Sequence, residues 1–349
     1  VDESTGFGPE DDRYHELPDD HWQTETNWWS LNVPERRIGL WLHAARHPAR
    51  GTVDWRVFAW DPAGADPGRL LYYRKAAAVP LPDDADLRDI RFPAGGYGVR
   101  MLEPLTSYEL TYSDPEARFG LDVRFDGVHP PRRFPPGVAP MFDNVHLDQL
   151  GRITGELTVR GERIAVDCHS VRDRTWGPRK GHHSHGDASA APREHAVRNP
   201  GGPLWREIER QGGRGRIQYV FGHVDGSTGF LGFLRVPHGD VSGWTPMTVG
   251  WLLRDGGLRP LDGAASRALV LRDPVTGWTS HILLDLRDAD GRRMEAEGHA
   301  VSWMCENQTG ANALLRWDVD GRVAWGEDQD GWRPAHWRAM LDALRAHTR

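Results

Sequence analysis

The chain has 349 residues, with 43 Lys and Arg against 50 Asp and Glu and a net charge of -7 at pH 7. That is enough chain for one large or two medium domains, each with its own core. The acidic balance argues against nucleic acid or an anionic membrane as the main partner. No apolar run reaches the length of a membrane span. Cys168 and Cys305 are the only cysteines, so there is no disulfide framework and no paired-cysteine metal knuckle, and two buried thiols are expected.

The first residues carry no basic or apolar signal region, so a cytoplasmic location is expected, as a monomer or homodimer. Tryptophan is over-represented, at 16 against 7 Tyr and 10 Phe. It clusters between Trp22 and Trp60 and again between Trp303 and Trp337. Filling the cores of β-barrels is the expected role of most of these rings.

In chain order, residues 1–20 are acidic and polar and read as an N-terminal arm. Short runs rich in Val, Leu, Tyr and Trp follow between Gly, Pro and Asp turns: Trp28–Val33, Arg37–Ala44, Thr52–Trp60, Leu70–Val79, Leu87–Phe92, Gly98–Leu102, Ser107–Tyr112, Phe119–Phe125, Gly155–Val159 and Glu162–Val171. Residues 180–214 break the pattern and read as a flexible His/Gly-rich linker. Strands resume from Arg216 and continue to Trp325, where Trp325–Trp332 reads as a turn. Pro334–His347 then reads as a helix, with Pro334 in its first turn and Trp337, Met340, Leu341 and Leu344 on one face. The expectation is an all-β protein of two antiparallel barrels, at residues 21–179 and 215–332, with a short C-terminal helix over 333–349. Arg163–Val171 resembles Arg293–Val301, which suggests that the second barrel repeats the first.

The segment Arg172-Asp173-Arg174-Thr175-Trp176-Gly177 is the first candidate for chemistry. If Val171 faces the barrel interior, strand alternation also turns Asp173 and Thr175 inward and sends Arg172 and Arg174 outward. Asp173 would then be a desolvated acid able to donate a proton. The plainer reading is a carboxylate ion-paired at a strand end. His169 shares its face and could orient the acid or accept a proton, or simply be a satisfied barrel histidine. In Glu25–Asn32, one face carries Glu25, Asn27 and Trp29 and the other Thr26, Trp28 and Ser30, which suits an apolar wall with a few placed hydrogen bonds. Glu25 is the alternative acid. Trp176, Trp28, Trp29 and Asn27, with Tyr219 on the opening strand of the second half, are the expected substrate-binding residues. His182–Asp187 holds metal-ligand residue types, but no second ligand cluster accompanies it, so no metal is expected. There is no nucleophile elbow, phosphate loop or dinucleotide fingerprint.

Asp173–Arg179, Thr24–Asn32 and Trp325–Gln329 together resemble a bacterial branch of the double-lipocalin proteins, a group that includes AttH-like proteins and the carotenoid hydratases (hydroxyneurosporene synthases). The resemblance runs from about His21 to Trp337 without the His-rich insertion. It implies two lipocalin-like barrels side by side around a cavity for a polyene, terpenoid or similar lipid. It places Asp173 and Trp176 at that cavity, with Trp28 and Trp29 nearby. It also implies a cofactor-independent enzyme that hydrates, isomerises or cyclises an isoprenoid-like alkene. A non-catalytic carrier of a hydrophobic metabolite and a pericyclic cyclase are the alternatives.

Overall fold

The computed structural model describes residues 6–135, 144–178, 216–236, 243–305, 311–332 and 334–347. The expected linker and the His182–Asp187 loop lie outside the described residues. The chain divides into two compact units: Val1–Leu31 with Leu40–Phe58 and Tyr72–Gly213, and Asn32–Gly39 with Ala59–Leu71 and Arg214–Arg349.

The first sheet comprises β1 (Gln23–Val33), β2 (Ile38–His47), β3 (Thr52–Trp60), β4 (Tyr72–Pro80), β5 (Asp89–Arg91), β6 (Gly98–Glu103), β7 (Ser107–Asp114), β8 (Phe119–Gly127), β9 (Arg132–Arg133), β10 (Val145–Val159) and β11 (Glu162–Pro178). Its order is β4-β3-β2-β1-β11-β10-β8-β7-β6-β5, with β9 added beside β10. Alternation explains which side is the core: in β8, Phe119, Leu121, Val123 and Phe125 are buried while Asp122 and Arg124 are exposed. The β10–β11 hairpin turns on Arg160 and Gly161, both with positive φ, the backbone a two-residue type I′ turn requires. Within β10, Gly155 has φ +144°, and a Cβ there would lie 2.3 Å from the Asp122 carbonyl oxygen. Glycine therefore lets this long strand stay paired with β8.

The second sheet comprises β12 (Arg216–Asp225), β13 (Thr228–Val236), β14 (Thr245–Arg254), β15 (Gly257–Pro260), β16 (Arg267–Arg272), β17 (Thr279–Arg287), β18 (Arg293–Met304), β19 (Asn312–Val319) and β20 (Arg322–Trp332). Its order is β13-β12-β20-β19-β18-β17-β16-β14-β15, and an additional β13–β14 pairing closes the ring into a barrel. Trp317 sits at its centre, fully buried and edge-on to Phe230 at 4.9 Å. Gly222 and Gly298 flank that indole, where a Cβ would come within 2.9 and 2.5 Å of it. The early segments join this unit through hydrogen bonds: the Cys305 amide donates to the Ala65 carbonyl and the Ser302 hydroxyl to the Arg37 carbonyl.

Helix α1 (Pro334–His347) has the expected bounds, and Trp337, Met340 and Leu341 lie over the tight turn at Gly277. Among the described residues no helix is long and apolar enough to cross a membrane. Neither cysteine forms a disulfide; Cys168 is buried as expected, whereas Cys305 is only partly so.

Three sequence expectations change. Trp325–Trp332 is not a turn but the larger part of β20, because its acids have buried partners: Gln218 donates to Asp328, and Arg272 pairs with Asp330 at 2.6 Å. Strand β10 begins at Val145, ten residues before its expected start, and β11 continues to Pro178. The matched segments Arg163–Val171 and Arg293–Val301 fall on β11 and β18, which hold different places in their sheets. By pairing, the counterpart of β11 is β20, since each joins the first strand of its unit.

Candidate active site

Strand register assembles the site. Across β1–β11, Trp28 pairs with Asp173, Thr26 with Thr175, Glu25 with Trp176, Asn27 with Arg174 and Trp29 with Arg172. Across β10–β11, Asp148 pairs with Asp173 and His146 with Thr175. Directly paired residues share a face, and successive residues alternate between faces. The predicted residues of the first unit therefore divide between the two sides of one sheet.

Glu25, Asn27, Trp29 and Trp176 lie on the inner face, with Phe125 and Tyr108. Trp29 meets the rings of Tyr108 and Phe125 at 5.2 and 5.3 Å. Arg172 and Arg174 are on this face too, only 1% and 2% exposed, which reverses the outward placement expected from Val171. The cause is the N-terminal segment, whose Phe7 and Asp12 are buried. The Arg172 guanidinium lies 4.2 Å from the Tyr108 ring centroid, donates to Gln149 and reaches Asp12 at 3.4 Å. Asp12 in turn accepts from the Tyr108 hydroxyl and the Leu105 amide. Arg174 pairs with Glu25 and donates to the Asp11 and Arg13 carbonyls. Two guanidiniums are tolerated inside because these acceptors engage each of them, leaving only Arg172 Nη2 and Arg174 Nε without a hydrogen bond.

Glu25, the alternative acid, is thus an anchored carboxylate. It accepts from the His15 amide at 3.0 Å, meets His15 Nδ1 at 2.8 Å and has Arg46 at 3.5 Å. His15 stacks on Trp176 with centroids 4.0 Å apart. Burial lowers the His15 pKa, but hydrogen bonds to Asp11 and Glu25 and the Glu25 charge outweigh it, and the net shift is upward. Burial likewise pushes Asp11 up, while hydrogen bonds from His15 and the Gly8 amide outweigh it and hold Asp11 below its ordinary value. Asn27 accepts from the Tyr97 hydroxyl at 2.7 Å, deep in the same interior.

Asp173 and Trp28 face the other way, together with two residues that sequence reasoning missed. His146 and Asp148, each 3% exposed, come from the early part of β10. The His146 Nδ1 is 2.6 Å from the Thr175 hydroxyl, and its Nε2 is 3.3 Å from Asp148 Oδ1. Phe134 lies against the His146 ring at 4.8 Å. Trp28 is met edge-on by Trp41 at 5.4 Å. Asp173 is less enclosed than its neighbours, so the cluster has one accessible carboxylate set against a buried acid, an imidazole and an indole. His169 is on this face but four residues from Asp173, about 13 Å along the strand. Tyr219 belongs to the second unit, where it packs on Phe221 and Phe233. The signal for the missed pair was His146-x-Asp148 between Val145, Leu147 and Gln149, a polar side of a strand that the glycines at 151 and 155 disguise.

The two sheets make this a double β-barrel protein, and that architecture recurs among solved structures. An AttH candidate from Nitrosomonas europaea superposes with a TM-score of 0.56 at 14% identity, covering 95% of this chain and 98% of that one. CghA, in a structure with Sch210972, gives 0.54 at 13% identity, covering 89% and 88%. Kievitone hydratase from Nectria haematococca gives 0.49 at 9% identity, covering 90% of each. The chain belongs to the family described as domain of unknown function DUF7064, whose model matches residues 8–191. No curated protein matches it.

Proposed function

We propose that this chain is an enzyme of the double-lipocalin type that protonates an alkene of a small hydrophobic, isoprenoid-like molecule without an organic cofactor. The observation that carries the reading is the cross-strand trio of Asp173, Asp148 and Trp28. Two carboxylates opposed on one face repel each other unless a proton or a cation lies between them. A proton held by the pair is available at Asp173, the more exposed member.

In the hydration version, Asp173 transfers its proton to one alkene carbon. The adjacent carbon becomes cationic and faces the Trp28 indole, whose ring face favours positive charge. A water oxygen bonds to that carbon, and the water's second proton returns to the carboxylate pair. The sum is addition of one water, with the acid regenerated. If a neighbouring carbon loses its proton to the pair instead, the same start ends in isomerisation. If a second double bond attacks the cation, a ring closes and the new cation loses a proton to the pair, which ends in cyclisation. His146, held through Thr175, positions Asp148. Glu25 and Trp176 hold the N-terminal segment from the opposite face, and Asn27 and Trp29 pack against Tyr97 and Tyr108 in the same interior, so all four have supporting roles in this reading.

The test is incubation of the full chain with acyclic polyenes and isoprenoid alcohols in D2O, following deuterium in recovered substrate and product by mass spectrometry. Wild type incorporates deuterium into C–H positions, and Asp173→Asn reduces the rate by about 100-fold or more. Unchanged turnover in Asp173→Asn overturns the assignment and favours a pericyclic catalyst. Tight binding with no product in the wild type identifies a carrier.

A further inference from the structure

We propose that His146, Asp148 and Asp173 form a binding site for one divalent transition-metal cation of the zinc, cobalt or manganese type. A nitrogen of His146 and an oxygen from each carboxylate all lie within 4.8 Å of one another. Cations of this class hold imidazole nitrogen and carboxylate oxygen at about 2.0–2.2 Å, so ligand atoms around one ion stand about 3–3.5 Å apart. The His146 Nε2–Asp148 Oδ1 separation of 3.3 Å already has that spacing, and an Asp173 carboxylate oxygen lies within 4.8 Å of the other two ligand atoms. The three residues come from adjacent strands in fixed register rather than from a loop, so the backbone sets their geometry.

Two features distinguish the site from a chance cluster. The first is Asp148 itself: it is 3% exposed, and neither carboxylate oxygen accepts a hydrogen bond, although Arg132 is its register partner on β9. A buried carboxylate with an oxygen lacking a donor calls for a bound positive centre. The second is the orientation of His146. Thr175 engages Nδ1 at 2.6 Å, which leaves Nε2 directed at Asp148, the arrangement by which metal-binding imidazoles are held. One imidazole and two carboxylates suit first-row divalent ions, and three protein ligands leave a coordination position open. The site stands independently of the proposed proton transfer. Its consequence for turnover does rest on that reading, because a cation on the Asp173 oxygens excludes a transferable proton there.

A second group of metal-type donors, His281, Glu297 and His299 on β17 and β18, is more exposed, and both imidazoles already contact one Glu297 oxygen. It serves as the control. The experiment titrates Co2+ into chelator-treated full chain, reading the visible absorption of the bound ion and the metal retained after desalting, with Zn2+ as competitor. The expected result is a single tightly held Co2+ whose band survives in His281→Ala/His299→Ala. His146→Gln, Asp148→Asn and Asp173→Asn each weaken binding by about 100-fold, and Thr175→Val by about 10-fold. Bound Zn2+ should also raise the thermal midpoint of the wild type but not of Asp173→Asn, a readout that holds even if a buried variant folds poorly. Absence of a Co2+ band, a band insensitive to Asp173→Asn, or loss of binding in the His281/His299 variant overturns the proposal. Activity is not needed for any of these readouts. Metal binding with no alkene protonation discards the acid chemistry alone, and protonation without metal binding discards the site alone.

Discussion

Asp148 and Asp173 stand directly opposite each other across the β10–β11 pair, on the face turned away from the barrel core. Like charges in that relationship destabilise a sheet. In chelator-treated protein, Asp148→Asn should therefore raise stability by about 0.2–1 kcal/mol, while lowering alkene protonation. Urea unfolding at low salt measures the first effect. A loss of stability would show that the contact of Asp148 with His146 outweighs the repulsion.

On the opposite face the sign is reversed. Glu25→Gln leaves the Arg174 guanidinium, 2% exposed, without its carboxylate. Removing one partner of a buried ion pair costs about 3–5 kcal/mol. The double change Glu25→Met/Arg174→Met should recover most of that loss, as measured by denaturant midpoints. Equal losses in the single and double variants would mean that the pair is not the source of the stability.

Docking of the N-terminal segment should depend on pH through His15 and Asp11. His15 has a folded pKa above its ordinary 6.5, so its contribution is fully present below that pH and is lost as pH rises through the folded value. Asp11 has a folded pKa below 3.8, so its contribution is present above that pH and is lost as pH falls through the folded value. Hydrogen-exchange protection of residues 7–15 should accordingly be highest between about pH 4 and 6.5. His15→Gln should abolish the decline on the alkaline side. Protection that rises steadily above neutral pH would contradict this assignment.

In the second barrel, Gly298→Ala places a methyl group against the buried Trp317 ring, within 2.5 Å of its present position. Overpacking of this kind costs about 1–3 kcal/mol. Gly243→Ala, where nothing lies within 4 Å of an added Cβ, is the control and should be neutral. A neutral Gly298→Ala would mean that the indole can move aside.

The strand content was readable wherever polar and apolar residues alternate without interruption, as in β7 and β8, and α1 was readable from its proline start and apolar stripe. Hairpin turns such as Asp320-Gly321 were equally local, because positive φ at both positions is a property of those two residues. The start of β10 was hidden because Gly151 and Gly155 interrupt the pattern. A Cβ at either would strike β8, so these glycines mark close strand packing rather than a break. The site suffered accordingly: Asp173 and Trp28 were singled out, while their neighbours His146 and Asp148 were not.

By itself the sequence determined the all-β class, the terminal helix and the two-faced character of β1, since each follows from side-chain period and turn chemistry within a few residues. It could not determine which face of β11 is the inside. That depended on Asp12, some 160 residues away in the chain, reaching Arg172, and on Glu25 reaching Arg174. An arginine reads as a surface residue until a distant acceptor makes its burial tolerable. Only the tertiary pairing of β1, β10 and β11 supplied those acceptors, and with them turned Asp173 toward His146 and Asp148.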